Sequence, residues 1–177
     1  PEPDEVWDGF DRKHRSAIRR IGKNGFSIEF GRAELLPAFY SIMSSSWKEL
    51  GTPFYSYSFY EEIFRKLGNS VEIALVSLNG SPVAAAMTGF FKDMVEGMWL
   101  GYFRDYAKLQ PGYFLYWEMI RRYCILGYKV FNLGRSTTDS GGEFFKKKWN
   151  ATTRQLYWEY ILNGKKKIPE LNVQNPK

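Results

Sequence analysis

One cysteine, Cys124, and one histidine, His14, are all that this 177-residue chain has of either type. A lone cysteine excludes an internal disulfide framework and nearly every thiolate metal centre. A lone histidine removes multi-histidine metal sites and histidine-based nucleophilic triads, so no metal is expected. No run of about 18 apolar residues occurs, so no membrane span is expected in this chain, and no secretory signal pattern is visible. An initiating methionine is also missing. The chain opens Pro-Glu-Pro, which reads as an excerpt of a longer protein. Charge is lopsided but not extreme: 25 Lys and Arg stand against 19 Asp and Glu, a net +6. That balance suits an acidic partner such as nucleic acid, a nucleotide carrier or an anionic lipid surface, and is also small enough to serve solubility alone.

What is present is apolar mass. Hydrophobic residues make up 44% and aromatics 18% of the chain, enough for one domain with a real core. Apolar positions Phe10, Ala17, Ile18 and Ile21, with His14 on the same stripe, predict a helix from residue 8 to the stop at Asn24-Gly25. Arg12, Lys13, Arg15, Arg19, Arg20 and Lys23 crowd its other side. A short strand over 26–30 follows. Two helices come next, the first with Leu36, Phe39, Tyr40, Met43 and Trp47 on one face. The second is expected to open on a Ser58/Glu61 capping box. Asn79-Gly80 between two apolar runs predicts a hairpin of strands 71–78 and 82–91, with a third antiparallel strand over 94–103. A helix over 112–126, a buried strand over 128–133, a short helix over 142–149 and a last strand over 153–162 complete the reading, with a frayed tail. The class is α+β, a mixed, mostly antiparallel sheet flanked by helices. The element order is similar to that of the GNAT (acyl-CoA N-acyltransferase) fold.

The stretch VFNLGRSTTDSGGEFFKKKWN, residues 130–150, carries a more specific likeness. A strand ends in Gly-Arg-Ser, a small-residue loop follows, then Phe-Lys-x-x-Trp. Gly134, Arg135, Ser136, Phe145, Lys146 and Trp149 resemble the C-terminal signature of FemAB-like proteins one by one. RKHRSAIRRIGKNG is similar to the basic helix of that family, with Lys13, Arg15, Arg19 and Lys23 on it. The resemblance covers about residues 8–162 and looks nearest the FemAB-related proteins of exosortase and exopolysaccharide systems. Asn150 departs from it, standing where the family has glycine.

FemAB-like proteins carry two GNAT-like domains in tandem. The resemblance therefore implies a basic linker helix over residues 1–25, a GNAT-like domain over 26–163 and a tail over 164–177. It implies acyl or aminoacyl transfer to an amine on a cell-envelope or exopolysaccharide-related precursor, small or lipid-linked, with aminoacyl-tRNA or acyl-CoA as the donor substrate. The expected setting is cytoplasmic, free or at the inner membrane face, with tRNA and not DNA as the nucleic-acid partner. Arg135, at a strand end, suits clamping of a phosphate or carboxylate; the bland alternative is an ion pair with Asp139 or Glu143. Lys146 suits an oxyanion developing during transfer. Ser136, Phe145, Trp149, Lys13, Arg15 and Arg19 complete the candidate substrate-binding set, although Phe145 and Trp149 also suit core packing and the three cations a solvated face. Cys124 reads as a small buried hydrophobe.

Two rival functions stand beside this one: a CoA-dependent N-acetyltransferase and a non-catalytic binding domain of an envelope system. Against CoA stands Pro111, where a pyrophosphate cradle requires backbone N–H groups.

Overall fold

The computed structural model describes residues 2–157, 159–161 and 163. Two helices open the chain, α1 (Pro3–Gly9) and α2 (Arg12–Gly22). The single helix expected from residue 8 is broken, because Asp11 acts as an N-cap: its carboxylate accepts the His14 backbone N–H at 2.8 Å. Phe10 is left outside either helix and is buried.

The sheet has five strands in sequence order: β1 (Phe26–Gly31), β2 (Val71–Leu78), β3 (Ser81–Phe91), β4 (Met94–Tyr102) and β5 (Val130–Asn132). The first four are antiparallel and β5 lies parallel to β4. Asn79 and Gly80 both take positive φ, 50° and 78°, as a tight hairpin with the right twist demands. Val83 to Thr88 of β3 are buried without alternation because helices cover both faces of the sheet centre. On one face α3 (Leu36–Glu49) and α4 (Tyr57–Leu67) pack Phe39, Ile42, Met43 and Tyr60 onto Ile73, Leu75 and Met87. On the other, α5 (Pro111–Ile125) packs Leu115, Met119 and Tyr123 onto Ala74, Val76 and Ala86. A polar cluster anchors this helix: Thr88 and Tyr123 share a 2.7 Å hydrogen bond, and Arg122 donates twice to Glu72 at 3.2 and 2.8 Å.

A short helix, α6 (Gly141–Lys147), follows β5. Just past its end Trp149 joins Phe10, Ile18 of α2 and Ile120 of α5 in a third apolar cluster.

Three expectations fail locally. The buried strand expected over 128–133 forms only as Val130–Asn132, with Val130 exposed and Phe131 and Asn132 half-buried. The second of the paired helices starts two residues earlier than the Ser58 box requires: Ser56 is the N-cap, accepting from the Phe59 N–H at 3.3 Å. Among the described residues, the strand expected over 153–162 does not form. Residues 153–157 and 159–161 are irregular and exposed, while Trp158, Leu162 and the expected tail from 164 lie outside the described residues. With only three residues, β5 offers too few ladder bonds to hold a neighbour.

Candidate active site

β4 and β5 pair only between Met94–Glu96 and Val130–Asn132. Past that point the strands part, and among the described residues no strand pairs with this edge of β4 from Gly97 onward. A bulge accentuates the change: Met87 faces Trp99 while Thr88 faces Gly97, so Met98 is an extra residue. The result is a gap in the sheet bordered by unpaired backbone of β4, a place where a reacting carbonyl can meet fixed N–H donors.

The apex of the gap is built by the exit from β5. The Asn132 side-chain oxygen accepts the Gly134 N–H at 2.9 Å, a local turn that bends the chain away from the sheet. Gly134 takes φ 75°. A Cβ there would sit at ordinary contact distance, 3.4 Å from the Gly97 carbonyl oxygen and 4.0 Å from Lys146 Nζ, so it is the positive φ that favours glycine where strand, loop and ammonium converge.

Lys146 reaches this point from α6. Its Nζ donates to the Gly134 carbonyl at 3.0 Å and to the Arg135 carbonyl at 2.6 Å. An ammonium has three donors, so one remains for a ligand. Partial burial lowers the Lys146 pKa below the ordinary lysine value. α6 itself is set by Ser140, whose hydroxyl accepts the Glu143 N–H at 3.2 Å, and by Glu143, which pairs with Lys147 at 2.7 Å and accepts the Asp139 N–H.

Arg135 follows Gly134 and is exposed. Its guanidinium makes no ion pair among the described residues; Glu143, one carboxylate offered as its structural partner, is taken by Lys147. Ser136 is exposed beside the start of α6, its hydroxyl 3.5 Å from where a Gly142 Cβ would stand. Lys148 donates to the Tyr113 hydroxyl at 3.1 Å.

The remaining candidates fall elsewhere. Trp149 is 5% exposed; it stacks on Tyr116 at 5.5 Å and meets His14 at 4.4 Å edge-on. That corrects its place in the substrate-binding set, because a ring enclosed by α2, α5 and α6 has no free face for a ligand. Phe145 is half-buried edge-on to Tyr113 and Tyr116. On α2, Arg15 pairs with Asp8 at 3.2 Å and Arg19 lies 5.1 Å from the Trp7 ring centroid; both help hold α1. Lys13 is exposed. Cys124 is half-buried and burial raises its pKa, which disfavours a nucleophilic thiolate.

Two site residues escaped the sequence reading. Asn132 is detectable from the Asn-x-Gly spacing of a side-chain turn. Gly97 has no local signal, since its importance comes from the part of β5 that ends opposite it.

At the start of α5, Pro111 lacks an N–H, and the Tyr113 N–H is already bonded to the Gln110 carbonyl at 3.0 Å. Gly112 is buried, with the Tyr102 ring 3.8 Å from where its Cβ would be. Little remains there to cradle a pyrophosphate.

The acetyltransferase (GNAT) domain family matches residues 9–147. Among solved structures, FemX superposes with a TM-score of 0.75 at 16% identity, over 84% of this chain and 56% of the FemX chain. The chain thus spans just over half of that relative. An aminoglycoside acetyltransferase from an uncultured soil metagenomic sample, in complex with sisomicin, gives 0.63 at 12% identity, over 80% of this chain and 99% of that one. The C-terminal domain of a putative lysylphosphatidylglycerol synthetase from Agrobacterium fabrum gives 0.64 at 15% identity, over 82% and 55%. No curated protein matches by sequence. Likeness at such identities speaks for the fold, and the matched span for the family: this chain belongs to the acetyltransferase (GNAT) domain family.

Proposed function

We propose that this domain is a FemAB-related acyl- or aminoacyltransferase that N-acylates an amine on a cell-envelope or exopolysaccharide-related precursor. The observation that carries the reading is Lys146, half-buried at the apex of the β4–β5 gap with two donors satisfied by backbone carbonyls and one free. The substrate amine attacks the ester or thioester carbonyl, and the new C–N bond pushes an electron pair onto oxygen. Lys146 and the β4 backbone steady that oxyanion. Collapse then breaks the bond to the leaving alcohol or thiol, which takes up the proton lost by the amine. No covalent enzyme intermediate is required.

Arg135 orients an anionic part of donor or acceptor. The motif match of Gly134 to Trp149 supports the FemAB branch and its exosortase-linked side. It also supports a division into a linker over 1–25 and a catalytic domain from 26, acting in the cytoplasm or at the inner membrane face. Among the described residues no helix is long and apolar enough to cross a membrane.

Transfer from labelled aminoacyl-tRNA or acyl-CoA to a panel of sugar and peptide amines tests the reading. Lys146→Ala and Arg135→Ala should each abolish most transfer with little change in Tm. Lys147→Ala and Lys148→Ala should be nearly silent. Full activity in Lys146→Ala, or unfolding of Arg135→Ala, would count against it. The family match favours a CoA donor as the second reading, and the depleted N–H groups at Pro111–Tyr113 disfavour it.

A further inference from the structure

On the α3/α4 side of the sheet, opposite the basic helix, aromatic rings stand beside the same gap. Trp99 occupies β4 two residues beyond Gly97, about 7 Å along an extended strand. The bulge at Met98 turns Trp99 toward α4, where it meets Tyr60 edge-on at 5.2 Å. Tyr55 and Phe59 stack on each other at 4.4 Å and 19°. Both also meet Trp99 edge-on, at 6.4 and 6.3 Å. They are not hidden: Tyr55 is 51% and Phe59 38% exposed.

Beneath this surface lies an unsatisfied group. Tyr60 is fully buried, and its hydroxyl has no hydrogen-bond partner among the described residues. Burial pushes its pKa up, followed by the neighbouring Tyr55 and Tyr40, so it stays a neutral donor. A buried hydroxyl without a partner is destabilising, and a ligand hydroxyl that bonded it would relieve that cost. Ser56 and Ser58 add hydroxyls at the margin, 2.9 Å apart.

We infer that the Tyr55–Phe59–Trp99 platform is the acceptor subsite and takes the pyranose ring of an amino sugar, directing its amine into the β4–β5 gap toward Lys146. This rests on the acyl-transfer reading, which supplies the amine. The ring follows from the surface itself. A pyranose has an apolar C–H face that lies on aromatic rings and a hydroxyl edge that can satisfy Tyr60, Ser56 and Ser58. An alkyl chain would cover the rings yet leave the Tyr60 hydroxyl orphaned. A phosphorylated group finds no cation between Thr52 and Phe64, a stretch that carries Glu61 and Glu62 instead.

Saturation-transfer NMR on the donor-free domain, with glucosamine oligomers as probe, tests the subsite. Saturation should be strongest at the ring C–H protons. Tyr55→Ala and Phe59→Ser, both at exposed positions, should weaken binding about tenfold, the scale of losing an aromatic contact. Lys147→Ala, an exposed position paired with Glu143 outside the site, should bind as the unaltered protein does. Decylamine serves as the apolar probe; if it binds more tightly than the oligomers and is the ligand lost in Tyr55→Ala, the occupant is an alkyl chain and the inference fails. Equal binding by both ring variants, or none at about 10 mM oligomer, would also overturn it. Because no donor is present, this outcome is separate from the transferase reading, which falls if Lys146→Ala keeps full transfer activity.

Discussion

Lys146 illustrates how a common residue acquires an uncommon setting. Its ammonium is held by the Gly134 and Arg135 carbonyls, and partial burial lowers its pKa. Stabilising an oxyanion requires the protonated form. Activity should therefore fall as pH rises through the Lys146 pKa, at a lower pH than the ordinary lysine value of about 10.4. Lys146→Arg, cationic throughout that range, should move or remove this alkaline limb while Lys146→Ala loses activity at every pH. A pH–rate profile of the three proteins checks this; an identical limb in Lys146→Arg would assign the titration elsewhere. Gly134 is the complementary case. Its positive φ makes Gly134→Ala costly, by on the order of 1 kcal/mol or more. It should also reduce transfer, because the strain falls on the loop that positions Lys146. The Gly-Arg-Ser and Phe-Lys-x-x-Trp residues were legible in sequence as a motif. Their convergence was not, since Asn132 and Gly97 meet them only through the β5 turn.

Among the elements, α5 has the clearest consequence for the donor. Pro111 at its first position contributes no N–H, Gly112 is buried under Tyr102 and the Tyr113 N–H is already bonded. Acetyl-CoA should accordingly bind no better than about millimolar, roughly −4 kcal/mol. Titration calorimetry showing low-micromolar affinity that depends on residues 104–113 would restore the CoA donor. Most elements were readable because their signals are local: the Asn79-Gly80 hairpin, the apolar face of α3, Pro111 at the start of α5. The failures were local competitions between near-equivalent residues. Ser56 and Ser58 both suit a cap, and tertiary packing of Tyr60 and Phe64 selects the earlier one. Leu156, Tyr157 and Ile161 suit a strand but remain exposed.

At the scale of the molecule, α1 and α2 are fastened to the catalytic half by rings. Trp149 touches Phe10 and His14 on one side and Tyr113 and Tyr116 on the other. Trp149→Ala should cost about 3–5 kcal/mol, measured by chemical denaturation. A loss below about 1 kcal/mol would return the ring to the cleft. His14 shares the cluster, edge-on to Phe10 and Trp149, with Tyr113 also against it and Asp11 and Lys148 as the nearby charges. Burial depresses its pKa; Asp11 opposes the shift and Lys148 adds to it. The unfolded chain then binds a proton that the folded one refuses. This part of the stability is present above about pH 6.5 and is lost as pH falls toward the depressed folded pKa. Tm should drop over that range, and less so in His14→Gln; equal drops would assign the effect to other groups.

The sequence by itself determined the α+β class, the antiparallel run of β2, β3 and β4, the apolar stripe that carries His14 and the residues of the motif. Each depends on periodicity, a turn dipeptide or a fixed spacing along the chain. Only the tertiary structure decided that Trp149 is core, that Glu143 belongs to Lys147 and leaves Arg135 without an ion pair among the described residues, and that Gly134 comes against the Gly97 carbonyl while Lys146 bonds the Gly134 carbonyl. Those outcomes depend on where β5 stops pairing with β4, and contacts between residues 34 to 37 positions apart leave no periodic mark in the sequence.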